Sequence, residues 1–476
     1  MSGQAGPAYR AANGGGSSAA SRLLEPHDFG FRSNFYALYV VVVICLVAII
    51  AMIDRSLLNL LIEPIKKDLA ISDTQVSLLQ GFAFALFYAF IGIPLARMAD
   101  NTNRVMIIFW GMIVWTAAMG LSGLATSFAM LFMARMLLGV GEATLTPAGY
   151  SLLSDYFDKR VLSRVISAFI AAGFLGTGLA LVFGGAVYGW IEARGAWELP
   201  LVGTLAPWKV ALLMTTLPGV FGALLFLSVR EPPRHRSTAL VSKSATADTP
   251  VSLGELFSYM AANWRPLGAI IFGLTAFASV GFGIGSWTPA FLIRTYGMSP
   301  ADVGFTYGVI YSVSATAGVL AGGWFSDWLL ARGYADSNLR VGLYSAIIVL
   351  PFVLAFPLLG DQFWSLVLLV PVSFFTALPF GAGTASMPLM VPNRIRAQIV
   401  AIYLFTANLL GVSVGPTAVA LLTDIVFRDP ALVRYSIAFG CSALLLVGIV
   451  IIAIGLKPYR LAMQAVLFSA APAATK

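Results

Sequence analysis

The sequence predicts an all-α membrane protein: twelve transmembrane helices in two pseudo-symmetric six-helix bundles. Three observations predict it. Of its 476 residues, 59% are hydrophobic and 11% charged. A soluble domain carries about 25% charged residues, so this chain cannot cover itself with polar surface. Apolar runs of about 20 residues recur along the chain, the length that crosses a bilayer as a helix. They are continuous, not alternating strands of about ten residues, which excludes a β-barrel. The second half also echoes the first: the segment ARMAD at 96–100 is answered by GWFSD at 323–327, and Arg164 before one Gly-rich run is answered by Arg396 before another.

Residues 1–33 are rich in Gly, Ala and Ser and lack the charged, apolar and cleavage regions of a signal peptide. They read as a disordered cytoplasmic tail. Six spans follow at about 36–62, 74–98, 105–125, 128–151, 164–190 and 208–229, forming a first bundle over 34–230. The stretch 231–264 reads as a cytoplasmic linker, with Pro, Ser and basic residues giving way to an amphipathic helix. In that helix Leu253, Leu256, Phe257, Met260 and Trp264 share one face. Such a face suits either the membrane interface or the underside of the bundle. The second bundle, 265–457, holds spans at about 267–292, 302–329, 340–359, 363–388, 396–424 and 434–456. A short cytoplasmic tail, 458–476, ends the chain.

Net charge is +8, yet no basic block carries interleaved aromatics, so nucleic acid is not an expected partner. Of the 29 Lys and Arg, twenty fall on the side of the N-terminus and seven on the other. The positive-inside rule then places both termini in the cytoplasm, and a plasma (inner) membrane is expected. Cys45 and Cys441 sit in the first and last spans and read as small apolar residues. No metal or cofactor motif is found, no nucleotide-binding G-x-x-x-x-G-K-[ST] is present, and no nucleophile–base set suggests an enzyme. The expected partners are the bilayer and a small-molecule substrate, with the protein acting as a monomer.

The informative residues are charges inside the spans. Such groups cost several kcal/mol to bury and mark substrate paths, proton carriers or locks. Asp54 and Arg55 lie in the first span, Arg135 and Glu142 in the fourth. At 1.5 Å rise per residue, Asp54 and Arg135 fall at matching depths, about 6–7 Å outward of their helix midpoints. Glu142 falls about 4–5 Å to the cytoplasmic side. An Asp54–Arg135 contact is therefore expected, with Arg55 turned toward the cavity and Glu142 lower in it. His27 and His235 lie outside the spans, so proton coupling would run through Asp54 or Glu142. The second bundle is nearly free of mid-depth charge. It offers an aromatic, weakly polar wall that includes Trp287, Tyr311 and Phe374.

Four stretches carry a family resemblance: Asp54-Arg55, ARMADNTNR at 96–104, RMLLGVGEA at 135–143 and REPPR at 230–234. Together they resemble the major facilitator superfamily over about residues 36–457, and Glu142 in its Gly-rich setting resembles the Spinster-like lipid transporters. Two positions depart from the family loop: Ala96 stands where Gly is usual, and Asn101 where a basic residue follows the Asp. The resemblance implies alternating access of a lysophospholipid or sphingoid lipid, with substrate contacts at Arg55, Asn59, Arg135, Glu142, Trp287, Tyr311 and Phe374. It also implies a cytoplasmic gate of Asp100, Arg104, Asp327, Arg164 and Arg396, formed when that side is closed. Each gate carboxylate would face a helix N-terminus across the halves, a placement that stabilises by about 0.3–2 kcal/mol. A proton-linked exporter of drugs or organic anions is the alternative on the same scaffold.

Overall fold

The computed structural model describes residues 34–200, 203–233, 253–383 and 390–470. Residues 34–40 begin the first helix, and the described chain from Val41 onward forms one compact unit. Twelve helices among the described residues are long and apolar enough to cross a membrane. They are α1 (Phe35–Leu60), α2 (Asp73–Gly92), α3 (Arg104–Gly123), α4 (Phe128–Tyr156), α5 (Arg164–Glu192) and α6 (Pro207–Phe226), then α7 (Trp264–Tyr296), α8 (Pro300–Ala331), α9 (Ser337–Ala355), α10 (Gln362–Gly381), α11 (Arg394–Phe427) and α12 (Pro430–Gln464). Their order and number match the apolar runs. The expected tails at 1–33 and 471–476, and the linker residues 234–252, lie outside the described residues.

Local sequence sets the helix starts. Before α2, Ser72 and Gln75 form a reciprocal capping box, which satisfies two otherwise unpaired amide groups. Asn103, Ser127 and Ser299 cap α3, α4 and α8 by accepting from the amides of Met106, Met130 and Asp302. Elements not evident in the sequence also appear. A short helix, Ile62–Leu69, joins α1 to α2 and ends at Ala70 in the left-handed region (φ 51°). An antiparallel pair, β1 (Trp197–Leu199) with β2 (Gly203–Leu205), stands between α5 and α6. Within α2 the turn Leu78–Phe82 is π-helical, the kind of irregularity that recurs at functional sites.

The bundle has two ends. One, here termed the basic end, carries the turns at 102–103 and 157–158; the far end carries β1, β2 and the 62–69 helix. Toward the far end the halves meet through glycine. A Cβ on Gly178 of α5 would come within 1.9 Å of Ser312 Oγ of α8, and one on Gly304 within 2.8 Å of Gly185 Cα. Gly81 of α2 meets the backbone of Val412 and Ser413 in α11 in the same way. Absent side chains are what permit this approach.

The helix expected after the linker forms over Leu253–Ala262. Leu256 is buried, and Tyr259 and Met260 pack beside it on Leu267, Ile270 and Met463 under the second bundle. Phe257 and Trp264 stay exposed. One side of the helix is thus a packing face.

Candidate functional site

Between the halves lies a cavity of about 240 Å³. Its first-half wall comes from Arg55, Ser56 and Asn59 of α1, Gln80 of α2, and Phe174 and Thr177 of α5. Its second-half wall comes from Phe282 and Ser286 of α7, Tyr307 and Tyr311 of α8, and Thr376 and Phe380 of α10. Arg55 is the one charged residue in that lining.

Arg55 is held from several sides. Its Nη2 donates to Glu142 Oε2, and its guanidinium lies 4.0 Å from the Phe84 ring centre and 5.8 Å from that of Tyr88. The Tyr88 hydroxyl stands 3.1 Å from Thr146 Oγ1. Glu142 closes the first helical segment of α4, Phe128–Glu142, and the guanidinium neutralises its buried charge. Gln80, Phe84 and Tyr88 recur every four residues along α2, which puts them on one face toward α1.

The expected Asp54–Arg135 side-chain pair does not form. Arg135 Nη1 donates to the backbone carbonyl of Asp54 at 3.1 Å. Both Asp54 carboxylate oxygens are buried without a hydrogen-bond partner, as are Arg135 Nε and Nη2. Arg55, not Arg135, is the partner of Glu142. The reason is side-chain lean. Helical side chains point toward their own N-terminus. In α1 that is the basic end and in α4 the far end, so Arg55 and Glu142 lean toward one another while Asp54 and Arg135 lean apart. Heights taken at Cα miss this.

The other expected contacts separate. Asn59 and Tyr311 line the cavity, as Arg55 does. Asp54, Arg135 and Glu142 are buried behind it. Trp287 is fully buried, and its Nε1 donates to Pro416 O at 2.9 Å, joining α7 to α11 inside the second half. Phe374 packs with Phe375 on Leu329, Val341 and Leu378. Neither ring reaches the cavity lining, because each lies on the face of its helix turned into its own bundle. Phe174, which the sequence reading did not single out, stacks on Tyr311 and meets Phe380 edge-on at 5.4 Å, crossing between the halves.

At the basic end the expected gate residues do not join the halves. Arg104 is buried and binds Asp155 at 2.5 Å and Glu231 at 2.7 Å, and Glu231 also accepts from the Val105 amide at 3.2 Å. This buckle ties α3, α4 and the end of α6 within one half. Arg396 turns back onto the Val391 carbonyl. Asp327 and Arg164 are both exposed, with no ion pair between them among the described residues. The side chain of Asp100 lies outside the described residues. In the second half, fully buried Asp336 holds Arg340 at 2.6 Å and Arg460 at 2.8 Å.

The far end is latched instead. Arg294, near the end of α7, donates Nη1 and Nη2 to the two oxygens of Asp73 at 2.7 and 2.8 Å, and Nε to Glu63 at 2.7 Å. Asp73 is fully buried and also receives Lys66. Beside it, the Thr74 amide and hydroxyl each donate to Asp424 Oδ2 at 2.6 Å. In the sequence Lys66 and Arg294 stand only as charges flanking the spans. The charge-rich join IEPIKKDLAISD between two apolar runs was the available signal.

Twelve spans, two halves latched at one end and a single-cation cavity between them are the features of a membrane transporter with a central site. The chain belongs to the Major Facilitator Superfamily, whose model matches residues 44–416. Within it, the chain resembles the Spinster-like branch. It is 26% identical over 452 residues to protein spinster homolog 1 of Xenopus tropicalis, covering 88% of this chain and 80% of that one. An MFS-type efflux pump of Mycolicibacterium smegmatis is 28% identical over 391 residues, covering 81% and 84%. A crystal structure of a bacterial homolog of the human lysosomal transporter Spinster, inward-facing and unoccupied, matches with a TM-score of 0.74 at 26% identity over 93% of this chain and all of that one.

Proposed function

We propose that the protein carries a single-chain lipid with an anionic head, of the lysophospholipid or sphingoid-phosphate kind, by alternating access. One observation carries this reading: a cavity with one cation, Arg55, set in an otherwise uncharged wall rich in Phe and Tyr. An anion pairs with the guanidinium, and an apolar chain lies along α7, α8 and α10. The volume suits a head and the start of a tail, so the rest of the chain leaves the cavity between helices. The resemblance to the Spinster-like branch, which includes relatives of that name, implies a lipid of this general class. Relatives also include a hexuronate transporter and a galactonate transporter, whose names point to carboxylates without a tail. An organic-anion or drug exporter is therefore the second reading.

In this reading the basic end faces the cytoplasm with both termini, in the plasma (inner) membrane, and the latched far end makes this an inward-facing state. The halves 34–230 and 265–457 rock about the cavity as a monomer, with 231–264 linking them. The gate of Asp100, Asp327, Arg164 and Arg396 would assemble in the opposite state. Asp54, buried with both oxygens unpaired, and Glu142 are the groups through which protons would couple.

Export of labelled lysolipid from proteoliposomes, against a panel of drugs and sugar acids, tests the substrate class. Transport of the lysolipid that Arg55→Gln abolishes supports it, and transport of sugar acids alone removes it. Asp54→Asn that keeps the full response to a pH gradient rules out Asp54 as the proton carrier.

A further inference from the structure

Two kinds of glycine lie on α7. On the face toward α11, packing requires them: a Cβ on Gly283 would come within 3.1 Å of the Gly415 backbone, and one on Gly415 within 1.8 Å of the Ser279 carbonyl. Gly281 and Gly285 have no such reason. A Cβ on Gly285 would meet nothing within 4 Å, and one on Gly281 only the Cβ of Thr376 at 3.9 Å, an ordinary contact. Both glycines line the cavity. Between residues 277 and 292, Gly281, Phe282 and Gly285 are the three that are not buried, so the open space beside these glycines is the cavity itself. Glycine inside a helix costs stability relative to alanine. What it provides here is room for a ligand.

That room lies at the level of the cation and just beyond it. α1 and α7 both run toward the far end, where α1 leads into the 62–69 helix and α7 brings Arg294 to Glu63. Gln80 Nε2 donates to Asn59 Oδ1 at 3.0 Å and to the Ser286 carbonyl at 3.3 Å, which sets Gly285, the neighbour of Ser286, level with Asn59. Four residues back along each helix, about 6 Å, Gly281 stands level with Arg55. The bare stretch of α7 thus runs from the cation's level toward the latched end. Asn59 and Ser286 make that end of the cavity polar, which suits an alcohol, and the latch directs an alkyl tail the other way.

We infer that Gly281 and Gly285 determine head-group specificity: their bare backbone makes room, beside the anion held by Arg55, for an alcohol esterified to that anion. The inference rests on the proposed lipid-anion reading and narrows it to heads with bulk beyond the charge, as in a phosphodiester whose second alcohol is the size of glycerol. Side chains added at either glycine fill the space that alcohol needs and leave the anion and the tail their own.

The test is binding of a matched pair to the full-length protein in nanodiscs: monoacyl phosphatidylglycerol and monoacyl phosphatidylmethanol, which share tail and charge and differ in the head alcohol. The wild type is expected to bind the glycerol head at least as tightly as the methyl head. Gly281→Val and Gly285→Val are each expected to weaken the glycerol head by about tenfold or more, the range of an overpacked site, and the methyl head by no more than about twofold. The alanine variants should fall between, with a Tm at or above that of the wild type. Arg55→Gln is expected to weaken both ligands and leave their ratio in place. If the glycines act as a hinge or only in packing, the valine variants shift both ligands together or neither, which overturns the inference. A wild type that prefers the methyl head tenfold overturns it without any variant, while the lipid-anion reading stands. Binding of neither ligand removes that reading and the inference with it.

Discussion

The Arg294 guanidinium grips both carboxylate oxygens of Asp73, at 2.7 and 2.8 Å, across the two halves of the molecule. A planar fork matches a carboxylate in this bidentate way, and lysine cannot reproduce it. Arg294→Ala removes the grip on Asp73 and the bond to Glu63. Hydrogen bonds to charged groups contribute about 1.5–3 kcal/mol each, so the far-closed state should lose about 2–3 kcal/mol net, on the order of 100-fold in population. In a background with Cys45 and Cys441 replaced, a cysteine at Asn59 should label faster from the far side in this variant. Unchanged labelling would mean that the glycine contacts and the Thr74–Asp424 bonds suffice to hold that end shut.

Arg55 and Glu142 form a pair that is half-buried on one side and buried on the other. Removing one partner of such a pair costs about 3–5 kcal/mol when the other is left unpaired. Arg55→Gln alone should therefore lower the Tm in detergent more than the double variant Arg55→Gln/Glu142→Gln does. Both should abolish transport, because each removes the cavity cation. Equal melting of single and double variants would show that Glu142 finds another partner, with Arg135 the nearest cation on its own helix face.

Trp287 offers a contrast. It is fully buried and its one donor is used on Pro416, so Trp287→Phe should cost about 1–3 kcal/mol of stability through the orphaned carbonyl and the smaller ring. The KM for substrate should stay as in the wild type once folding is corrected for. A large change in KM at full stability would place the indole in the transport path after all.

The fold was legible because lipid admits so few backbone solutions. Long apolar runs had to be helices. Residue-level pairing was legible only in part. Arg55, Asn59 and Tyr311 line the cavity. The pairing of Arg55 with Glu142 depends on which way long side chains lean, a property of helix direction that Cα heights do not contain. Arg294 and Asp73 lie 221 residues apart, and their meeting depends on which end of the molecule is closed.

Asp73 has a second cation, Lys66, on the short helix of its own half. When the halves part and Arg294 withdraws, Asp73 is not stranded. It passes from two cations to one, while Arg294 moves out toward water with its charge solvated there. Opening thus exchanges partners instead of exposing a bare carboxylate to an apolar interior. A strong latch of this kind can still be reversible, because its release leaves the Asp73 carboxylate paired with Lys66.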